Sequence, residues 1–118
     1  MSNKETTLQQ EISLALGQLP DLRMFRNQVG QLPDLRTGRP VQFGLAKGSS
    51  DLIGFKKIKI TEDMIGQEIA QFVSIEIKTE KGKLTTQQNN WLTFINKAGG
   101  ITGVARSIND VFKILSLK

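Results

Sequence analysis

The chain has 118 residues, a net charge of +5 and ordinary globular proportions, with 38% hydrophobic and 23% charged residues. That length suits one core rather than two, and the basic balance favours a polyanionic partner. Cysteine and histidine are both absent, which excludes disulfides, thiol and imidazole catalysis, and leaves only oxygen ligands for a metal ion.

The opening stretch, MSNKETTLQQE, is polar and lacks the apolar run of a signal peptide. No segment approaches the ~20 apolar residues of a membrane span. A soluble, cytoplasmic protein is expected. Thr6 to Leu16 carries apolar residues at Leu8, Ile12, Leu14, Ala15 and Leu16, with spacings of three and four recurring. The spacing predicts an amphipathic helix ended by Gly17 and Pro20. Glu11 falls at the edge of its apolar face. The heptapeptide GQLPDLR then occurs twice, at Gly17–Arg23 and Gly30–Arg36. Two copies are too few for a solenoid and read as a local duplication. Leu22 to Arg26 is expected as a short strand. Gly30 to Pro40, rich in Gly and Pro, is expected as a surface loop.

Val41 to Leu45 is a brief strand or turn, and Lys47-Gly48-Ser49-Ser50 a tight polar turn. Asp51 to Ile60 reads DLIGFKKIKI, a strand emerging into solvent. Thr61 to Gln67 is expected as a hairpin loop. Ile69 to Thr79 is the strongest strand, with Phe72, Val73, Ile75 and Ile77. Lys81-Gly82-Lys83 is a turn. Thr85 or Thr86 caps a helix that runs to about Ala98, with Gln88, Trp91, Leu92 and Ile95 on one face and Gly99-Gly100 as its stop. Trp91 reads as core rather than as a platform for bases. Ile101 to Arg106 is a short strand. Ser107 caps a last helix, with Asp110 in its first turn and Val111, Ile114 and Leu115 packing it down. This order predicts one α/β domain over residues 1–118, a central mixed sheet flanked by helices.

Asp51 opens a strand directly after a Gly-Ser-Ser turn. Glu76-Ile77-Lys78 is the chain's one acidic-x-Lys triplet and lies on the best strand. Alternation puts Glu76 and Lys78 on one face, with Val73, Ile75 and Ile77 on the other. Two charges on a central strand need partners, since burying them unpaired costs several kcal/mol each. A same-face ion pair is one answer and a divalent metal another. A hairpin between the two strands would bring Asp51 beside Glu76.

Two stretches, GSSDLIGF (Gly48 to Phe55) and IEIKTEKGKLTTQQNNWL (Ile75 to Leu92), resemble the VRR-NUC nucleases, the virus-type replication-repair branch of the PD-(D/E)XK superfamily. RNQVG (Arg26 to Gly30), GRPVQFGLAKG (Gly38 to Gly48) and AGGITGVARSINDV (Ala98 to Val111) extend the likeness over almost the whole chain. The resemblance implies a restriction-endonuclease-like core. It implies Asp51, Glu76 and the backbone carbonyl of Ile77 as ligands of Mg²⁺ or Mn²⁺, with Glu11 as a further metal or water contact. Lys78 would orient the attacking water and offset charge on phosphorus. Gln88 matches the family's glutamine, with Gln87 as its neighbour if the register slips by one. The Pro20-Asp21 and Pro33-Asp34 dipeptides spell the superfamily's namesake but lack a following apolar strand; Ser50-Asp51 has one.

Arg26, Lys47, Lys81 and Lys83 flank the site in sequence and would hold the nucleic-acid backbone; Lys56, Lys57 and Lys59 form a separate cluster. The expected activity is a metal-dependent DNA endonuclease. A domain this small favours DNA shape, such as a branched or four-way (Holliday) junction, over long-site readout. Similarity to junction resolvases implies a homodimer in a bacterial cell or a phage-infected host. The alternatives are a non-catalytic DNA-binding module of the same fold, or a nuclease subunit acting with a partner protein. Asp51, Glu76 and Lys78 are all present, which argues against the module.

Overall fold

A computed structural model describes residues 3–116. The elements run α1 (Asn3–Leu16), β1 (Leu22–Arg26), β2 (Gly30–Pro33), β3 (Pro40–Phe43), β4 (Leu52–Lys56), a 3-10 turn at Glu62–Met64, β5 (Val73–Ile77), α2 (Thr86–Lys97), β6 (Ile101–Ala105) and α3 (Ile108–Ile114). The class is α/β. The chain divides into two compact units between Ile58 and Lys59. In place of one central mixed sheet, the described strands form three two-stranded sheets.

In the first unit β1 pairs antiparallel with β4, from Leu22 opposite Lys56 to Arg26 opposite Leu52. Gly54 lies opposite Met24, and a Cβ there would overlap the Arg23 carbonyl, so the strands cross closely only because position 54 has no side chain. The ladder also sets where β4 stops. Its last bond runs from the Lys57 N–H to the Asp21 carbonyl at 2.6 Å, beyond which β1 has no residue to offer. The predicted strand to Ile60 is therefore cut short, and Ile58 and Ile60 stand 45% and 71% exposed.

β2 and β3 form a hairpin where a loop was expected, with Leu32 opposite Val41 and Pro33 opposite Pro40. Proline suits this end because the ladder there needs no N–H from either residue. The Asp34 N–H donates to the Arg39 carbonyl at 2.8 Å and Gly38, at φ 71°, turns the chain. The two copies of GQLPDLR consequently differ. The first is turn and then strand; the second is strand and then turn. α1 packs on β1, and none of its described residues is buried.

The second unit is a β-α-β-α arrangement. β5 and β6 run parallel, Val73 beside Ile101 and Ile77 beside Ala105, with α2 as the crossover. Leu92, Ile95 and Ala105 are its buried residues. α3 lies over the Ile75–Gly103 face, where a Cβ on Gly103 would press into Ile114.

The helix ends obey local rules. Thr85 caps α2 in a capping box with Gln88. Gly99, at φ 101°, ends it in a Schellman motif: the Gly99 N–H donates to Asn96 and the Gly100 N–H to Ile95, both at 3.0 Å. Ser107 caps α3 by accepting from the Asp110 N–H. Thr61 to Gln67 is not a hairpin loop. It holds the 3-10 turn, closed by the Thr61 hydroxyl donating to Asp63, and β4 and β5 each pair within their own unit. No helix among the described residues is long and apolar enough to cross a membrane.

Candidate active site

Strand alternation carries Glu76 and Lys78 to one face of β5, and α2 lies over that face. The Glu76 Oε1 accepts from the Gln88 Nε2 at 2.9 Å and faces the Lys78 Nζ at 3.8 Å. Gln88, half-buried, makes this contact, and its neighbour Gln87 is exposed. The capping box decides how Gln88 points. Its Oε1 accepts from the Thr85 N–H at 3.0 Å, so its Nε2 is the end left for Glu76.

The ion pair adds little to stability. With side chains 33% (Glu76) and 19% (Lys78) exposed and one long contact, it contributes about 0–1 kcal/mol. Stability alone therefore does not account for two charges and an amide converging beneath a helix. One relation runs against the sequence reading. The charged face is the more covered one, while Val73 and Ile77 on the apolar face are 44% and 76% exposed. The long helix covers the charged side, and α3 reaches the other only near Gly103.

Trp91 also differs from expectation. It is 38% exposed, because its indole N–H takes the Ser74 hydroxyl at 2.8 Å and lays the ring along the seam between α2 and β5. Leu92 and Ile95 fill the core instead.

Glu76 has a second carboxylate oxygen, and among the described residues it has no protein partner. Ile77 completes the local picture. The Lys78 N–H donates to the Ala105 carbonyl at 3.0 Å, toward β6. In a trans peptide the carbonyl of the same unit points the opposite way, so the Ile77 oxygen projects from the other edge of β5. A carboxylate oxygen and a carbonyl oxygen thus stand available one residue apart. Hard oxygen donors of this kind suit Mg²⁺ or Mn²⁺.

The loop after Lys78 is pinned by a residue that sequence reasoning missed. The Arg106 Nη1 donates to the carbonyls of Thr79, Glu80 and Gly82 at 2.6, 3.3 and 2.7 Å. Lys81 and Lys83 are exposed on or beside this loop. The one signal available was a basic residue at the carboxyl end of β6. Arg106→Ala is expected to lower the unfolding free energy by about 1–2 kcal/mol, read by urea denaturation.

In the first unit Asp51 is exposed at the start of β4, and its carboxylate has no partner among the described residues. Its main chain is held: the Asn27 N–H donates to the Asp51 carbonyl at 2.8 Å. Arg26 lies opposite Leu52, one step from Asp51, and Lys47 sits in the turn before it. Glu11 is exposed on α1, and Lys56, Lys57 and Lys59 are exposed around the end of β4. Among the described residues no three Asp or Glu side chains gather as a metal cage. Glu76, Lys78 and Gln88 are brought together within the second unit; Asp51, Arg26, Lys47 and Glu11 belong to the first.

A family model described as the VRR-NUC domain matches residues 3–109. No curated protein and no solved structure matches the chain.

Proposed function

We propose, from the premise that this chain belongs to the VRR-NUC family of nuclease domains, that residues 1–118 work as one PD-(D/E)XK-type domain that cleaves DNA with a divalent metal. The observation that carries the reading is the state of Glu76. Gln88 and Lys78 hold one of its oxygens, and the other is left to a ligand. The match across both units supports treating them as one functional domain.

Asp51, Glu76 and the Ile77 carbonyl would hold Mg²⁺ or Mn²⁺, with Glu11 as a further contact. When bound, the ion would supply Lewis acidity toward the scissile phosphate and an attacking water. Lys78 orients that water and offsets charge developing on phosphorus. Gln88 fixes the rotation of the Glu76 carboxylate. Arg26, Lys47, Lys81 and Lys83 position the phosphate backbone without reading bases. We assign branched DNA as the preferred substrate, because a domain this small offers little surface for reading a long site. Two copies related by a twofold axis would cut two strands symmetrically.

The test is cleavage of four-way, forked and linear DNA in Mg²⁺ or Mn²⁺, against a chelated control. Metal-dependent cutting, fastest on the branched substrates, is expected. No cutting with either ion overturns the nuclease reading. Light scattering at micromolar concentration checks the dimer, and a monomer mass sinks it.

Gln88→Glu separates the two duties of that side chain. Glutamate is an ordinary capping-box partner, so the melting temperature should hold. It cannot donate to Glu76 and sets a second carboxylate beside it. Cleavage is expected to fall about 10- to 100-fold, measured as a single-turnover rate on the same DNA.

A further inference from the structure

The turn that delivers Asp51 is organised by Asn27, the second residue of the RNQVG stretch. Asn27 follows β1 and is half-buried. Its Nδ2 donates to the Ser49 Oγ at 2.7 Å and to the Ser50 carbonyl at 2.9 Å. Its Oδ1 accepts from the Leu45 N–H at 3.2 Å. The Ser49 Oγ in turn donates to the Ala46 carbonyl at 2.6 Å. With its own N–H on the Asp51 carbonyl, Asn27 ties both ends of the segment 45–51 to one point. A carboxamide is suited to this task because it carries two donors and an acceptor on one short side chain.

We infer that Asn27 is a positioning residue for Asp51, fixing the turn so that the carboxylate is presented in one place to a divalent cation. This rests on the nuclease reading above. Exposed turns without such a brace sample many backbone states, and a ligand that must first be ordered binds more weakly by the fraction of time it is in place. Bracing the turn therefore acts on metal affinity first, and on the chemical step only through Asp51.

The experiment is calorimetric titration of the full chain with MnCl₂, for wild type, Asn27→Ala, Ser49→Ala and Asp51→Ala, beside amide hydrogen exchange without metal. Asn27→Ala is expected to weaken Mn²⁺ binding about tenfold. Ser49→Ala should weaken it less, in the same direction. Exchange should quicken across residues 45–51 in Asn27→Ala and stay unchanged in β5 and α2. Cleavage by Asn27→Ala should recover at saturating Mn²⁺, as loss of a catalytic group would not. Wild-type affinity in folded Asn27→Ala overturns the inference; if that variant does not fold, wild-type affinity in Ser49→Ala overturns it. A wild-type chain that takes up no Mn²⁺ overturns the nuclease reading, and this inference with it.

Discussion

Glu76→Ala is expected to slow metal-dependent cleavage by about a thousandfold or more, a loss of about 4 kcal/mol of transition-state stabilisation. The carboxylate stands at a junction: Gln88 and Lys78 address one oxygen, and the other has no partner among the described residues. Removing it takes away a metal ligand and leaves both neighbours without their shared acceptor. Glu76→Gln keeps the shape but halves the acceptor capacity and drops the charge, so it should be nearly as impaired. Fold is the control. Glu76 contributes an ion pair worth about 0–1 kcal/mol and a hydrogen bond from Gln88 worth about 1 kcal/mol, so the unfolding free energy should fall by only about 1–2 kcal/mol. Single-turnover rates on branched DNA, read beside circular dichroism, check both halves. A Glu76→Ala protein that cuts like wild type would remove the site from β5.

Lys78→Ala should cost cleavage about 100- to 1000-fold while leaving Mn²⁺ binding near wild type. The distinction between the two variants is the useful part. Glu76 is proposed as a ligand, so its loss should appear in calorimetry. Lys78 acts on the water and the phosphate, so its loss should appear in the rate alone. Lys78→Arg is not a conservative replacement: a planar guanidinium cannot stand in for a compact ammonium in a half-buried position beside Glu76. Loss of Mn²⁺ binding in Lys78→Ala would instead assign the lysine to holding Glu76 in place.

Local chemistry made part of this legible. The caps at Thr85 and Ser107 and the Gly99-Gly100 stop obey rules that act within a few residues, and the helices start and end accordingly. The shared face of Glu76 and Lys78 follows from alternation, and the family from motifs kept in order along residues 3–109. Partner choice was another matter. β4 ends where β1 runs out, which no property of DLIGFKKIKI announces. β2 and β3 pair despite their prolines, because the prolines sit where a ladder needs no donor. Asn27 and Arg106 were missed for one reason: they bond mainly to backbone groups at a distance in sequence, and backbone leaves no residue pattern to read. Trp91 was misread because a helical face shared with Leu92 does not reveal an indole N–H that needs a hydroxyl.

The duplicated GQLPDLR allows a shortened chain whose junction reads like the original. Excising residues 17–29 would join Leu16 to the second copy and leave no foreign junction, since the residues on either side of the seam read as before. The shortened chain would nevertheless lack the strand that β4 pairs with and the amide that braces the turn before Asp51. Deleting residues 17–29 would thus remove Asn27 and the strand that pairs beside Asp51 while leaving Glu76, Lys78 and Gln88 in sequence untouched. On the proposed reading such a chain keeps the Glu76-Ile77-Lys78 triplet and loses the setting of Asp51, so a search for the triplet alone does not tell the two chains apart.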